Sequence, residues 1–194
     1  MMVIILHLII GKEYQVVIAF SGKSKAGKTT AANYLQVNFG FIKVSFADKL
    51  KELSQQFYPF TTVEVYGELK DKQYKNFDWT PRDFLIRLGH FARYHDKDFF
   101  VKSLMDKIDR RSNYVIDDLR FNNEANALKE INATLIRIER YKKYLNNIID
   151  SSETELDDFK DFHYRINEAE NLNIKSLHTK IDLIMDELGY SKRA

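Results

Sequence analysis

The residues best suited to chemistry form a glycine-rich segment, Gly-Lys-Ser-Lys-Ala-Gly-Lys-Thr, from Gly22 to Thr29. In this complete G-x-x-x-x-G-K-T pattern, backbone N–H groups surround a polyphosphate at the N-terminus of a helix. Lys28 can reach the terminal phosphates, and the Thr29 hydroxyl can bind Mg²⁺ between the outer two. The residues predicted to bind the nucleotide phosphates are Gly22, Lys23, Ser24, Lys25, Ala26, Gly27, Lys28, Thr29 and Thr30.

The segments on either side of this loop support the same interpretation. Val16–Phe20 has the length and β-branched content of a strand buried on both faces, as parallel sheets require. The residues from Thr29 to Leu35 are compatible with a helix. The alternative is an accidental glycine turn, which average residue frequencies make rare.

A second candidate site lies where another apolar run ends, at Val115–Phe121. In parallel sheets ligands bind beyond the carboxyl ends of the strands, so these side chains would face the glycine-rich loop if the strands are neighbours. Asp118 can hold the water shell of Mg²⁺ or orient an acceptor, and Arg120 can bind a phosphate in bidentate fashion. The alternative is a solvated turn with an internal Asp–Arg pair.

Basic residues lie at the end of the next apolar run, where Arg137 and Arg140 are followed by Lys142 and Lys143. Phosphoryl transfer needs positive charge around the phosphate oxygens and exclusion of water, which a mobile basic flap provides. Surface charges beside a loop are the alternative. An acidic stretch follows, with Asp150, Glu153, Glu155, Asp157, Asp158 and Asp161.

The segment between Asp48 and Asp98 is a long insertion rich in aromatic and basic residues. Stacking surfaces beside arginines suit a nucleobase and its phosphate. For the individual arginines, simple solvent exposure is the alternative. The side chains concerned are Lys49, Tyr66, Tyr74, Trp79, Arg82, Phe84, Arg87, Arg93 and Tyr94.

Composition narrows the class of protein. The 194 residues include 30 basic and 28 acidic ones, a net charge of +2, so no global field favours duplex nucleic acid. There is no cysteine, and no Asn-Lys dipeptide that would begin a guanine-reading N-K-x-D motif, which disfavours a Ras-like GTPase. We expect a cytoplasmic protein, in the host cytoplasm if the source is viral, with neither a membrane nor a nucleic acid as partner.

Strand-like and helical runs alternate, which predicts a parallel α/β sheet in a single domain over residues 1–194. Met1–Ile10 is expected to add a buried strand, with a signal peptide as the alternative. Ser152–Glu155 has the spacing of a capping box at a helix start. The other expected strands lie at 41–46, 114–117, 134–138 and 164–167, and the helices lie around 50–57, from 80 onward, around 124–130 and around 177–188.

With these features, the sequence resembles those of the deoxynucleoside monophosphate kinases of large phages and related P-loop kinases. The resemblance runs in the same order from Ile18 to about Leu188. Ile86 and His90 depart from it by standing where polar residues are commoner, and Asn122 replaces a frequent proline. The stretches that carry it are Ser21–Thr29, Ser45–Lys51 and Asp118–Glu124, with weaker parts at Arg82–Gly89, Ile136–Arg140 and Ser152-Glu153.

The resemblance implies a P-loop fold whose five-stranded parallel sheet has the order 2-3-1-4-5, with flanking helices, a monophosphate-binding insertion at about 48–98 and a lid at about 139–155. It implies ATP as donor, used with Mg²⁺ held through Thr29 and Asp118. Catalytic roles fall to Lys28, Arg120, Arg137 and Arg140. Substrate-binding roles fall to Asp48, Lys49, Trp79, Arg82, Arg87, Arg93 and Asp118.

The sequence therefore predicts ATP-dependent phosphoryl transfer to a deoxynucleoside monophosphate, which would give the diphosphate. One alternative is a kinase of the same fold that acts on a ribonucleoside monophosphate or phosphomevalonate. Another is a regulatory module that binds ATP without transferring its phosphate. The expected partner is a small nucleotide, and a homodimer stays open.

Overall fold

A parallel sheet carries the glycine-rich loop in the structure, a computed structural model that describes residues 15–109, 111–140, 151–168 and 173–193. Within these ranges the strand order is β2-β3-β1-β4-β5, and each neighbouring pair is parallel. This confirms the predicted order 2-3-1-4-5. The strand expected at Met1–Ile10 lies outside the described residues. The strands are β1 (Val17–Ser21), β2 (Ile42–Val44), β3 (Tyr114–Leu119), β4 (Thr134–Arg140) and β5 (Tyr164–Glu168).

Helices connect these strands, and two of them have a clear capping residue at one end. Gly40 ends the first helix in the left-handed conformation with φ 72°, and Thr80 begins the fourth through a capping box with Asp83. Short 3₁₀ turns lie at Glu68–Asp71 and Ser151–Glu153. The helices are α1 (Lys28–Phe39), α2 (Ala47–Phe57), α3 (Thr62–Val65), α4 (Pro81–His95), α5 (Phe99–Met105), α6 (Asn122–Glu130) and α7 (Ile174–Glu187).

The helix start predicted at Ser152–Glu155 is wrong, because only the short 3₁₀ turn forms there. A capping box needs the carboxylate three positions after the first residue to accept from the backbone N–H of that first residue. The Glu155 carboxylate instead accepts from the backbone N–H of Asn122 at 2.9 Å. The local pattern is therefore overridden by a tertiary contact.

The chain divides into two compact units, one formed by Met1–Ser45 with Ile108–Ala194 and the other by Phe46–Lys107. In the first unit every residue of β1 is buried, as expected for the central strand of a parallel sheet. Its core joins Phe20 of β1 to Leu35 of α1 and Leu177 of α7. No helix among the described residues has the length and apolar character needed to cross a membrane.

The second unit has an aromatic core. Phe60, Val65 and Tyr74 are buried, and the half-buried Trp79 stacks on Tyr74 with ring centroids 5.4 Å apart. The expectation that Tyr74 offers a stacking surface to a base is wrong, since its side chain is only 2% exposed and is enclosed by neighbouring rings. Tyr74 contributes apolar area to the core instead.

Replacing Tyr74 by phenylalanine should stabilise the fold. The Tyr74 hydroxyl is buried without a hydrogen-bond partner among the described residues, and such a group costs about 1–3 kcal/mol. Tyr74→Phe keeps the ring and removes that group, so the free energy of unfolding in urea should rise by roughly 1 kcal/mol. Tyr66→Phe, at a tyrosine that is 49% exposed, serves as the control and should change little. A destabilised Tyr74→Phe protein would show that the hydroxyl has a partner.

Candidate active site

The loop after β1 keeps its shape through two glycines. Gly22 has φ 145°, and a Cβ there would lie 2.3 Å from the carbonyl oxygen of Ile138, so no side chain fits. Gly27, with φ 112°, immediately precedes α1. Between them the N–H of Ala26 donates to the carbonyl oxygen of Lys23 at 3.1 Å. The loop therefore turns tightly into a helix N-terminus, the arrangement that binds phosphate.

Lys28 is the first residue of α1, and its side chain folds back into the loop. The residue is 7% exposed, and Nζ donates to the carbonyl oxygens of Gly22 at 2.6 Å and Lys23 at 2.9 Å. Burial, followed by the positive charge of Arg120, lowers the pKa of Lys28 to about 8. The cation is thus oriented and desolvated in advance, which is how preorganised electrostatic stabilisation works.

Asp117 links the loop to the ends of two strands. Its Oδ2 accepts from the Thr29 hydroxyl at 2.9 Å, and its Oδ1 accepts from the Ser45 hydroxyl at 2.6 Å. Nζ of Lys43 lies 4.0 Å from the same carboxylate. Thr29 and Asp118 are the metal ligands expected from the sequence, whereas Asp117 is the carboxylate that accepts from the Thr29 hydroxyl. Asp117 and Asp118 both lie close enough to Lys28 for their charges to raise its pKa.

Arg120 faces the loop from the end of β3. Its Nη1 lies 2.5 Å from Oε1 of Glu153 and donates to the Ser152 hydroxyl at 3.3 Å. The Glu153 Oε2 accepts from the backbone N–H of Ser24 at 2.6 Å, so this carboxylate bridges the arginine and the loop. The backbone N–H of Arg120 donates to the buried Glu124, which fixes the start of α6.

The two arginines assigned to the lid both lie in β4. Arg137 is buried, and its Nη1 donates to the Ser21 hydroxyl at 3.0 Å while its Nη2 donates to Asp157 at 2.6 Å. Arg140 donates to the carbonyl oxygen of Lys25 at 2.8 Å. Residues 141–150 of the expected lid lie outside the described residues. The catalytic roles of both arginines stay predictions.

The second unit contains six of the predicted site residues, of which Arg82 and Arg93 have the most defined surroundings. Arg82 forms a two-point ion pair with Asp71. The Arg93 guanidinium lies over the Phe100 ring, 4.7 Å from its centroid. A Cβ at Gly89 would come within 3.1 Å of Nη1 of Arg93, so the glycine leaves room for this guanidinium.

The other four predicted residues of the second unit do not form one cluster. Trp79 packs in the aromatic core. Asp48 lies in the first turn of α2, and Lys49 beside it pairs with Glu52 at 3.3 Å. Arg87 is an exposed residue of α4. Their substrate-binding roles stay predictions.

Comparison with known proteins identifies the family of the chain. No family model matches the chain. A protein of Acanthamoeba polyphaga mimivirus, named "Putative deoxynucleotide monophosphate kinase", is 32% identical over 149 residues, which are 64% of this chain and 74% of that protein. The chain belongs to the deoxynucleotide monophosphate kinase family. The resemblance drawn from the sequence motifs is confirmed, and the protein is a kinase.

Solved structures of other kinases are more distant from this kinase. Dephospho-CoA kinase from Campylobacter jejuni is 13% identical with a TM-score of 0.49, over 90% of this chain and 97% of that chain. A gluconokinase from Sinorhizobium meliloti 1021 is 9% identical with a TM-score of 0.46, over 92% and 98% of the two chains. The strand order β2-β3-β1-β4-β5 and the phosphate loop define the fold of this kinase.

Three carboxylates of this kinase site were not predicted from the sequence to contact the loop or Thr29: Asp117, Glu153 and Asp157. Asp117 lies where β3 has one residue more than β1, since Ala19 and Ser21 of β1 pair with Ile116 and Leu119. Glu153 and Asp157 lie in the acidic stretch, and the sequence does not indicate which basic residues or N–H groups these carboxylates contact. Their partners are the loop itself, through Ser24 and Lys23.

The depressed pKa of Lys28 gives a pH prediction for the kinase. The value of kcat/KM for the phosphoryl donor should fall as the pH rises above about 8, because the free enzyme then loses the charge of Lys28. The charge of Arg120 lowers this pKa, so Arg120→Ala should move the alkaline limb to higher pH. Steady-state kinetics from acid to alkaline pH would measure both. An alkaline limb at the same pH in both proteins would contradict the assignment.

Proposed function

We propose that this kinase transfers the γ-phosphoryl group of ATP to the phosphate of a deoxynucleoside monophosphate. The observation that carries the proposal is the 32% identity to a relative named for that substrate class. The loop geometry supports the donor side, because Lys28 is held within a phosphate-binding turn at a helix N-terminus.

The residues near the loop fit Mg²⁺. The hydroxyl of Thr29 and the carboxylate of Asp117 are hard oxygen ligands 2.9 Å apart, and Asp118 follows on the same strand end. Magnesium is usually held by one or two carboxylates together with substrate phosphates and water. When bound there, Mg²⁺ would neutralise charge on the outer phosphates of the donor.

The chemical step needs positioning more than it needs a base. An oxygen of the acceptor phosphate attacks the γ-phosphorus, and the bond to the bridging oxygen breaks to release ADP. The acceptor oxygen is already ionised, so no proton must be removed. In this proposal Lys28 and the loop amides hold the donor phosphates, and Arg120 stabilises the charge on the transferred group.

We assign acceptor binding to the second unit. Arg93 is preoriented there by Phe100 and by the space at Gly89, and Arg82 presents a second guanidinium. Guanidinium groups bind phosphate in bidentate fashion. The exposed Tyr66 and half-buried Trp79 offer stacking surface without a row of amide groups, and stacking discriminates weakly between bases.

A panel of acceptors tests the proposed function. The four deoxynucleoside monophosphates, their ribonucleotide partners and phosphomevalonate are each incubated with Mg²⁺ and ATP, and acceptor-dependent ADP is measured. We expect more than one deoxynucleotide to be phosphorylated, with the ribonucleotides used less well. Activity confined to one ribonucleotide or to phosphomevalonate would reject the substrate class, and ADP release that ignores the acceptor would reject transfer.

A further inference from the structure

The carboxylate of Glu153 lies where a phosphate would be expected. Its Oε2 accepts from the backbone N–H of Ser24, which belongs to the phosphate loop, at 2.6 Å. Its Oε1 lies 2.5 Å from Nη1 of Arg120. A loop amide and a guanidinium are the donors that usually hold a phosphoryl oxygen. The Glu153 carboxylate thus binds two of the donors, the Ser24 N–H and the Arg120 guanidinium, that are best suited to an anionic ligand.

The charges around Glu153 match an anion site. Burial alone would raise the pKa of Glu153, but the charge and hydrogen bond of Arg120, the Ser24 N–H and the charge of Lys28 together lower it. Ser152 adds a hydroxyl that accepts from the same guanidinium at 3.3 Å. An ionised carboxylate in this position keeps the cations of the site neutralised within the protein.

The segment that bears Glu153 is anchored by its other residues. Glu155 accepts from the backbone N–H of Asn122 at 2.9 Å, and Leu156 is 2% exposed. Asp157 accepts from Nζ of Lys23 at 2.5 Å and from Arg137 at 2.6 Å. Rotation of the Glu153 side chain would therefore leave the rest of the segment in place.

We propose that Glu153 occupies the subsite of the transferred phosphoryl group in the absence of nucleotide, and that the terminal phosphate of the donor binds by displacing it. The Ser24 N–H cannot donate fully to the Glu153 carboxylate and to a phosphate at the same time. Two negative charges that share the same donors also repel one another. The displaced Glu153 carboxylate rotates away from the loop, and the Arg120 guanidinium then donates to the incoming phosphate instead. This inference rests on the proposed function for the identity of the donor.

Binding measurements test the displacement directly. Calorimetric titrations at pH 7 would use ATP and inorganic tripolyphosphate as probes, with the wild-type protein and the Glu153→Gln variant. Glutamine keeps the size of the side chain and removes the charge. A competitor that fills the subsite about nine-tenths of the time raises the apparent Kd about tenfold, so Glu153→Gln should bind both probes about tenfold more tightly.

The control is Glu155→Gln, which removes one negative charge two residues away from Glu153. Within the described part of the chain the Glu155 carboxylate accepts from the backbone N–H of Asn122 and has no hydrogen bond to the loop. The Kd of this variant for both probes should equal that of the wild type. Unchanged or weaker binding by Glu153→Gln would overturn the proposal, since Glu153 would then be absent from the phosphate position or would assist binding. Equal tightening in both variants would also overturn it, because a general charge effect would explain the result.

A measurement on the wild-type protein covers the case in which the variant does not fold. The carboxyl ¹³C resonance of Glu153 is titrated with and without saturating tripolyphosphate. Displacement from Arg120 and Ser24 should raise the measured pKa toward its ordinary value, whereas an unchanged or lower pKa would overturn the proposal. The binding and NMR measurements contain no acceptor, so they test the displacement of Glu153 alone. A failure of the proposed deoxynucleotide transfer would be seen only in the acceptor panel.

Discussion

The Lys28→Met variant should lose at least a hundredfold in kcat while gaining stability. Losing a preorganised cation at a phosphoryl transition state costs on the order of 3 kcal/mol, which is a hundredfold or more in rate. The methionine chain replaces the aliphatic stem of Lys28, a residue that is 7% exposed. Single-turnover kinetics would separate the chemical step from donor binding.

The stability gain follows from the lowered pKa of the same lysine. Its value falls from 10.5 in the unfolded chain to about 8 in the folded protein, so burying the charge costs up to roughly 3 kcal/mol below pH 8. This cost is present in full below pH 8, and it is relieved as the folded protein loses the proton between about pH 8 and 10.5. The advantage of Lys28→Met in urea unfolding should therefore be largest at pH 7 and shrink toward pH 10.

A surface substitution provides the comparison for both effects. Lys175→Met changes an exposed lysine of α7 and should leave turnover and its pH dependence unchanged. Near-normal turnover in a folded Lys28→Met protein would remove Lys28 from the catalytic site. A loss of stability at neutral pH would show that the hydrogen bonds to Gly22 and Lys23 outweigh the desolvation of the charge.

The parts of this site that the sequence predicted are those fixed by local rules. The apolar run ending at Phe20, the two glycines of the loop and Lys28 lie close together in the sequence, so one short stretch specifies the strand, the turn and the helix start. Gly22 shows why the glycine is needed, since the Ile138 carbonyl oxygen fills the space of a side chain. The strand order came from the resemblance, because the alternation of strands and helices alone does not order a sheet.

The parts that the sequence did not predict depend on contacts between distant residues. Glu153 and Ser24 are 129 positions apart, and no local pattern indicates that one accepts from the other. The capping box expected at Ser152 fails for the same reason, since Glu155 finds a partner 33 positions away. Asp117 and Asp118 are adjacent in the part of β3 that has one residue more than β1, so the sequence alone does not show which of the two carboxylates accepts from Thr29.

The second large effect is expected at Arg120. If its guanidinium stabilises the transferred phosphoryl group, Arg120→Ala should lower kcat by about a hundredfold to a thousandfold, the usual effect of removing one such donor. The start of α6 should survive, because Glu124 accepts from the backbone N–H groups of Arg120 and Phe121, which the substitution retains. Arg165→Ala, at an exposed pair with Glu139, is the matched control.

A double-mutant cycle separates this catalytic role from a merely neutralising one. Arg120 also pairs with Glu153, so the loss in Arg120→Ala could arise only because the carboxylate is left without its partner. In the Glu153→Gln background that second cause is gone. If Arg120 acts on the phosphoryl group, Arg120→Ala should still lower kcat about a hundredfold in that background. Restoration of turnover in the double variant would instead limit Arg120 to holding Glu153.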